Sequence, residues 1–235
     1  MDWYSMSAAD AVSKLSSSVD MGLSSREAEK RLGQDGENIL RGKKKKSIIA
    51  EFFEQFKDFT VIVLLIASGV SFATSFLEEH GDFADPIMIL IIVILNAAVG
   101  VIQQRRAEHS LEALKNSSAP AAAVIRDGKE TKIPASEVVR GDIIEVRAGD
   151  LVPADARLIS SHSLSAQESA LTGESMPCEK DALCRISDGS PQAELKNMIF
   201  SSSVITAGHA RAVVTQTGMD TAAGEGRRDH HPAQG

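Results

Sequence analysis

The sequence predicts an α+β membrane protein in which a transmembrane helical hairpin joins a small antiparallel, jelly-roll-like β domain and short amino-terminal helices. Three observations support this class. Two long runs carry no charge, short strand-like segments follow residue 116, and helix-start signals precede residue 40. The predicted divisions are 1–46 for the amino-terminal helical region, 47–115 for the hairpin with its cytoplasmic extensions, 116–225 for the β domain and 226–235 for an aberrant or disordered tail.

The composition alone resembles that of a soluble protein, and it argues against two classes. With 25 Lys and Arg against 32 Asp and Glu, the formal net charge is −7, which is untypical of a general nucleic-acid binder. Cys178 and Cys184 cannot build a disulfide scaffold and have no partners at zinc-site spacing, so no metal site is predicted. The amino terminus lacks a basic region leading into an apolar one, so membrane insertion is expected from internal segments.

The first 40 residues predict two short amphipathic helices. Residues 24–27 (SSRE) form a capping-box start, and Gly33 or Gly36 supplies the stop. Residues 47–58 place several apolar side chains on one helical face, which predicts an interfacial segment leading into the membrane.

Two uncharged runs predict membrane spans over about 59–77 and 86–104. Each approaches the roughly 30 Å thickness of the bilayer core at about 1.5 Å per residue. The alternative is a hairpin inside a soluble core, which is uncommon in a chain of this size because helices that are apolar on all sides need deep burial.

Charges flanking the runs predict the orientation. Basic residues 41–46 precede the first run and Arg105-Arg106 follow the second, whereas the connecting residues 78–85 contain four acids and no Lys or Arg. The positive-inside rule then places both termini in the cytoplasm and makes the chain a multi-pass membrane protein with the bilayer as a partner.

Turn residues divide the β region into short strands. Asp127-Gly128 predicts a hairpin between strands at 124–126 and 130–133. The other predicted strands are 142–147, 157–160, 198–201, 204–207 and 210–216.

The stretch from Val138 to Lys180 carries the most specific pattern. Its centre is the tetrapeptide Thr172-Gly173-Glu174-Ser175, which by itself is also an ordinary turn. Its context is 141–143 (GDI), 149–155 (GDLVPAD), 168–171 (ESAL), Pro177 and Lys180. In this context the stretch resembles the actuator domain of the P-type cation-transporting ATPases. Residues 22–40, 54–59 and 217–224 resemble further family segments, so the likeness covers about residues 7–225 and leans toward the calcium-pump branch.

The resemblance implies a role for each residue of the tetrapeptide. In this family an aspartyl-phosphate intermediate is hydrolysed when the loop approaches it. Glu174 would position and deprotonate the attacking water. Gly173 would permit close backbone approach, and Thr172 and Ser175 would shape the loop. A solvated turn carboxylate is the alternative interpretation of Glu174.

Three other acids stand beside Gly or Pro. Asp142, Asp150 and Asp155 are predicted to cap turns through hydrogen bonds from backbone N–H groups rather than to take part in chemistry.

The 235 residues contain no Asp-Lys-Thr-Gly phosphorylation motif. The resemblance therefore implies that ATP and Mg²⁺ belong to an intact pump, whose phosphorylation, nucleotide-binding and later membrane domains would be partners of this chain. This chain alone is expected to be inactive. The polar residues 226–235 do not begin a third span, which suggests a truncation or shifted reading frame. A membrane-anchored binding module and a nonfunctional gene fragment stay open as alternatives.

Overall fold

The structure is a computed structural model that describes residues 3–40, 47–77, 83–117, 120–173 and 176–229. The chain divides into two compact units, one of residues 1–42 with 119–235 and one of residues 43–118. The helices are α1 (Ala8–Lys14), α2 (Ser25–Asp35), α3 (Ile48–Gln55), α4 (Phe59–Leu77), α5 (Ala84–Ser117), α6 (Ser169–Thr172) and α7 (Ala222–Asp229). The strands are β1 (Ala121–Arg126), β2 (Lys129–Pro134), β3 (Ile143–Arg147), β4 (Asp155–Gln167), β5 (Cys178–Lys180), β6 (Met198–Ile199) and β7 (Val204–Gln216).

The strands of the first unit form one antiparallel sheet. Its order among the described residues is β2-β1-β3-β7-β4-β5, with β6 paired to β4. The predicted class of mixed helix and antiparallel sheet is therefore confirmed. Asp127 and Gly128 form the predicted two-residue turn between β1 and β2, with φ of 52° and 72° that match a type I′ hairpin.

The sheet differs from the predicted strands at Gly208. Residues 204–207 and 210–216, predicted as two strands, belong to the single strand β7, and the predicted strand 157–160 is the middle of the longer β4. Gly208 has a φ of 76° beside the irregular part of β4, and a Cβ there would lie 2.2 Å from the carbonyl oxygen of His162. Gly208 therefore allows two strands to approach closely and does not end a strand.

The amino-terminal helices share a core with the sheet. Ser7 caps α1 and Ser24 caps α2 by accepting hydrogen bonds from Asp10 N–H and Glu27 N–H, and α2 ends at Gly36. The predicted helix start is thus confirmed as an N-cap at Ser24, and Gly36 is the stop. The Glu27 carboxylate contacts Arg31 and Lys30, so the structure shows only the N-cap half of the predicted capping box. The buried apolar cluster that joins these helices to the sheet includes Trp3, Ala11, Val12, Leu15, Ile125, Ile143, Phe200 and Val213.

The second unit consists of α3, α4 and α5. The part of α5 from Ala84 to Ser110 is long and apolar enough to cross a membrane, whereas α3 and α4 qualify only as a joined pair bent by 68°. The structure therefore contains one such helix, or two if the bent pair counts as one span, among the described residues. Ser68 on α4 donates a hydrogen bond to the carbonyl oxygen of Pro86, and Arg105 on α5 pairs with Glu51 on α3 at 2.9 Å.

The carboxyl-terminal part of the described chain is helical. Residues 226–229, the first part of the predicted tail, belong to α7. The helix begins here because the Thr221 hydroxyl accepts a hydrogen bond from Gly224 N–H, in the manner of an N-cap. Residues 230–235 lie outside the described residues.

Candidate functional site

The candidate loop, Thr172 to Ser175, connects two paired strands of the sheet. It begins at Thr172, the last residue of α6, which follows β4, and it precedes β5. Strand β5 pairs antiparallel with β4, with Leu164 opposite Lys180 and Ala166 opposite Cys178. The sheet therefore fixes both ends of the connection that carries the tetrapeptide.

The described part of the tetrapeptide is Thr172 and Gly173. Thr172 ends α6, and Gly173 takes the left-handed conformation with φ of 75° while its N–H donates to the carbonyl oxygen of Ser169 at 3.0 Å. No described atom lies within 4 Å of the position of a Cβ on Gly173. Glycine is thus favoured here by backbone conformation, and the predicted close approach to a phosphate stays a prediction. Glu174 and Ser175 lie outside the described residues.

A buried ion pair joins the residues on either side of the loop. Lys180 Nζ lies 2.6 Å from Glu168 Oε1, and these side chains are 1% and 3% exposed. Lys180 also donates a hydrogen bond to the carbonyl oxygen of Leu195 and lies 5.2 Å from the ring centroid of Phe200. The sequence pattern places Glu168 and Lys180 on either side of the loop but does not show that they pair. The only sequence signal of the pair is an acidic residue before the loop and a basic residue after it.

Cys178 lies beside this pair on β5. Burial raises the pKa of its thiol, and the nearby Glu168 carboxylate raises it further, whereas the charge of Lys180 acts in the opposite direction. Its Sγ lies 3.3 Å from the carbonyl oxygen of Ala166. Cys178 and Cys184 are both free thiols.

The three acids predicted to cap turns behave differently from one another. Asp142 accepts a hydrogen bond from Val139 N–H and Asp150 accepts one from Arg147 N–H, so both cap turns as predicted. Asp142 is also fully buried and holds the Arg126 guanidinium through two contacts of 2.9 and 2.7 Å.

Asp155 accepts its backbone hydrogen bonds from residues that are distant in sequence. Its carboxylate accepts hydrogen bonds from Ser201 N–H at 2.8 Å and from Ala222 N–H at 2.7 Å. Burial raises the pKa of Asp155 to about 6, against the effect of these two donors. The predicted hydrogen bonds from backbone N–H groups are therefore present, but they come from the β6–β7 turn and from α7, which Asp155 links to the start of β4.

Possible metal ligands do not cluster in the part of the chain that the structure describes. There, no group of three or more His, Cys, Asp or Glu side chains is placed to hold a metal ion.

Comparison with known proteins gives this arrangement a family. Residues 116–229 match the model of the P-type ATPase actuator domain, and residues 3–71 match that of the cation transporter/ATPase N-terminus. The two matches together cover most of the chain, which therefore belongs to the P-type cation-transporting ATPase family. The resemblance noted from the sequence is confirmed.

Individual relatives agree with this assignment. The chain is 41% identical over 225 residues to a calcium-transporting ATPase of Bacillus subtilis, which covers 96% of this chain and 25% of the relative. It is 38% identical over 240 residues to the endoplasmic reticulum-type calcium-transporting ATPase 2 of Arabidopsis thaliana, covering 98% and 23%. A probable cation-transporting ATPase F of Mycobacterium tuberculosis is 39% identical over 222 residues, covering 94% and 24%. The chain thus spans about a quarter of the length of these relatives.

Proposed function

We propose that this chain supplies the amino-terminal region, first two membrane helices and actuator domain of a P-type ATPase that couples ATP hydrolysis to cation transport. The observation that carries the proposal is the match of residues 116–229 to the actuator domain, with the Thr172–Ser175 loop held between β4 and β5. The names of the relatives favour Ca²⁺ as the transported ion. We also propose that the β domain has a jelly-roll-like fold.

The proposed chemistry of the chain centres on Glu174. Its carboxylate orients the water that attacks the aspartyl-phosphate of the pump and accepts a proton from it, a task that requires a base within hydrogen-bond reach of the nucleophile. Thr172, Gly173 and Ser175 shape the loop. The left-handed conformation of Gly173 supports this, because it lets the chain turn directly after α6.

ATP and Mg²⁺ are requirements of the intact pump. The loop residues Thr172 to Ser175 are not proposed to bind either of them.

The proposed location is a membrane, with α4 and the apolar part of α5 as a transmembrane hairpin and both termini cytoplasmic. The surface of these helices supports this: Ile66, Val70 and Leu77 on α4 are 63%, 60% and 85% exposed, and Leu95 on α5 is 60% exposed. Such side chains are compatible with lipid and unfavourable in water.

The topology is tested by cysteine labelling in intact cells. In the background of Cys178→Ser and Cys184→Ser, an impermeant maleimide is expected to label His80→Cys directly and Ser16→Cys only after permeabilisation. The reverse pattern would contradict the orientation.

The function is tested with a chimera. The part of this chain aligned with the Bacillus subtilis relative replaces the corresponding part of that relative, and the product is reconstituted into vesicles. We expect ATP-dependent Ca²⁺ uptake, which Glu174→Gln abolishes while phosphorylation from ATP persists. A well-folded chimera that does not form phosphoenzyme would favour a membrane-anchored binding module instead.

A further inference from the structure

The Glu168–Lys180 pair is unusual because removing two charged side chains from water is energetically unfavourable. Two charged side chains, 3% and 1% exposed, have left water for a site walled by the Leu195 backbone and the Phe200 ring. A buried ion pair is often no more stabilising than well-packed apolar side chains of the same size, so its presence is weak evidence for a role in stability. Buried polar contacts can instead specify one arrangement among several.

The geometry of the pair depends on strand register. Lys180 is opposite Leu164 in the β4–β5 ladder, and Glu168 lies just beyond the end of β4. A slip of one residue between the strands would send Lys180 to the other face of the sheet and break the 2.6 Å contact. The pair is therefore compatible with one register of β4 against β5.

Register in turn sets the position of the loop. The carbonyl oxygen of Glu168 accepts a hydrogen bond from Leu171 N–H, and Gly173 N–H donates to the carbonyl oxygen of Ser169. These bonds build the single turn of α6 directly on Glu168. A displacement of Glu168 thus carries α6 and Gly173 with it.

We propose that Glu168 and Lys180 form a positioning pair that fixes the register of β4 against β5 and so presents the Thr172–Ser175 loop for aspartyl-phosphate hydrolysis. This inference rests on the function proposed above. Neither residue contacts the reacting atoms, and both act through the placement of the loop.

The pair itself is tested in the full 235-residue chain through its neighbour Cys178. In a Cys184→Ser background Cys178 is the only thiol, and its pKa is measured from the pH dependence of its reaction with a disulfide reagent. Because the Glu168 charge raises the thiol pKa and the Lys180 charge lowers it, Glu168→Gln is expected to lower the pKa and Lys180→Met to raise it. If neither variant changes the pKa of the Cys178 thiol, the placement of the Glu168–Lys180 pair beside it would be refuted.

The positioning role is tested in the chimera by following phosphoenzyme decay. Lys180→Met is expected to form phosphoenzyme at the unsubstituted rate and to lose it about a hundredfold more slowly, since displacement of a reacting group by about 1 Å has effects of this size. Lys180→Arg keeps the charge and is expected to restore most of the decay rate. The matched control is Lys196→Met, an exposed lysine whose loss is expected to leave decay unchanged.

The rate of phosphoenzyme decay in the Lys180 variants decides whether the pair positions the loop. Decay at the unsubstituted rate in a phosphorylated Lys180→Met chimera would overturn it. If that variant does not fold, the double variant Glu168→Gln with Lys180→Met, which leaves no unpaired buried charge, is expected to fold. Slow decay in the double variant would support the proposal, and normal decay would overturn it. Normal decay in Glu174→Gln would instead refute the proposed function, while the Cys178 measurement would still report on the pair.

Discussion

Asp155 makes the first unit less stable as the pH rises, which is the opposite of the usual effect of an aspartate. Its side chain is buried, and its carboxylate accepts two backbone hydrogen bonds that join β4 to the β6–β7 turn and α7. Burial raises the pKa of Asp155 to about 6 from the ordinary 3.8. We predict that Asp155→Asn removes a pH-dependent part of the unfolding free energy.

The sign follows from proton linkage. The folded state holds the proton of Asp155 more tightly than the unfolded chain does, so the stabilising contribution is complete below about pH 3.8 and is lost as the pH rises to about 6. A pKa difference of one unit between the folded and unfolded states corresponds to roughly 1.4 kcal/mol, so the difference between about 6 and 3.8 corresponds to about 3 kcal/mol of unfolding free energy. Asp155→Asn also loses one acceptor for a backbone N–H, which lowers stability by an amount that does not depend on pH.

The assay is urea unfolding of the full chain in non-ionic micelles between pH 4.5 and 7.5. Trp3 is the only tryptophan and is 4% exposed in the core of the first unit, so its emission reports on that unit. The unfolding free energy of the unsubstituted chain minus that of Asp155→Asn is expected to fall as the pH rises to about 6 and then level off.

A control of opposite sign is available at Glu145. The hydrogen bond from Arg211 lowers the pKa of Glu145 from the ordinary 4.5, so the corresponding difference for Glu145→Gln should fall as the pH decreases below 4.5, and this control is therefore followed to lower pH than Asp155→Asn. A difference for Asp155→Asn that stays constant, or that grows with pH, would refute the reasoning.

Two further substitutions test the packing of the sheet. Asp142→Ala leaves the Arg126 guanidinium, 15% exposed, without its carboxylate, and is expected to lower the unfolding free energy by about 3 kcal/mol in the same urea assay; a loss below about 1 kcal/mol would contradict the pairing. Gly208→Ala places a Cβ against the carbonyl oxygen of His162 at positive φ and is expected to cost roughly 2–4 kcal/mol. Gly189→Ala, at positive φ in open space, is its control and should cost about 1 kcal/mol; equal losses would refute the clash.

Local signals in the sequence predict the helices and hairpin turns well. The uncharged run 59–77 coincides with α4, the run 86–104 lies inside α5, and Asp127-Gly128 forms the turn between β1 and β2. These features depend on hydropathy and on residues a few positions apart, which a sequence displays directly.

Features that depend on tertiary neighbours could not be predicted in this way. Gly208 has the sequence signature of a turn, and only the approach of β4 makes it part of a continuous strand. Asp155 has partners 46 and 67 residues away. The pairing of Glu168 with Lys180 likewise depends on the register of two strands, which the sequence does not specify by itself.

The central claim is that Glu174 promotes hydrolysis of the aspartyl-phosphate. The most direct test is the lifetime of phosphoenzyme in the chimera after a chase with unlabelled ATP. We predict that Glu174→Gln labels to the same level as the unsubstituted chimera and decays about a hundredfold more slowly, the usual scale for loss of a general base. Equal lifetimes in the two proteins would contradict the account.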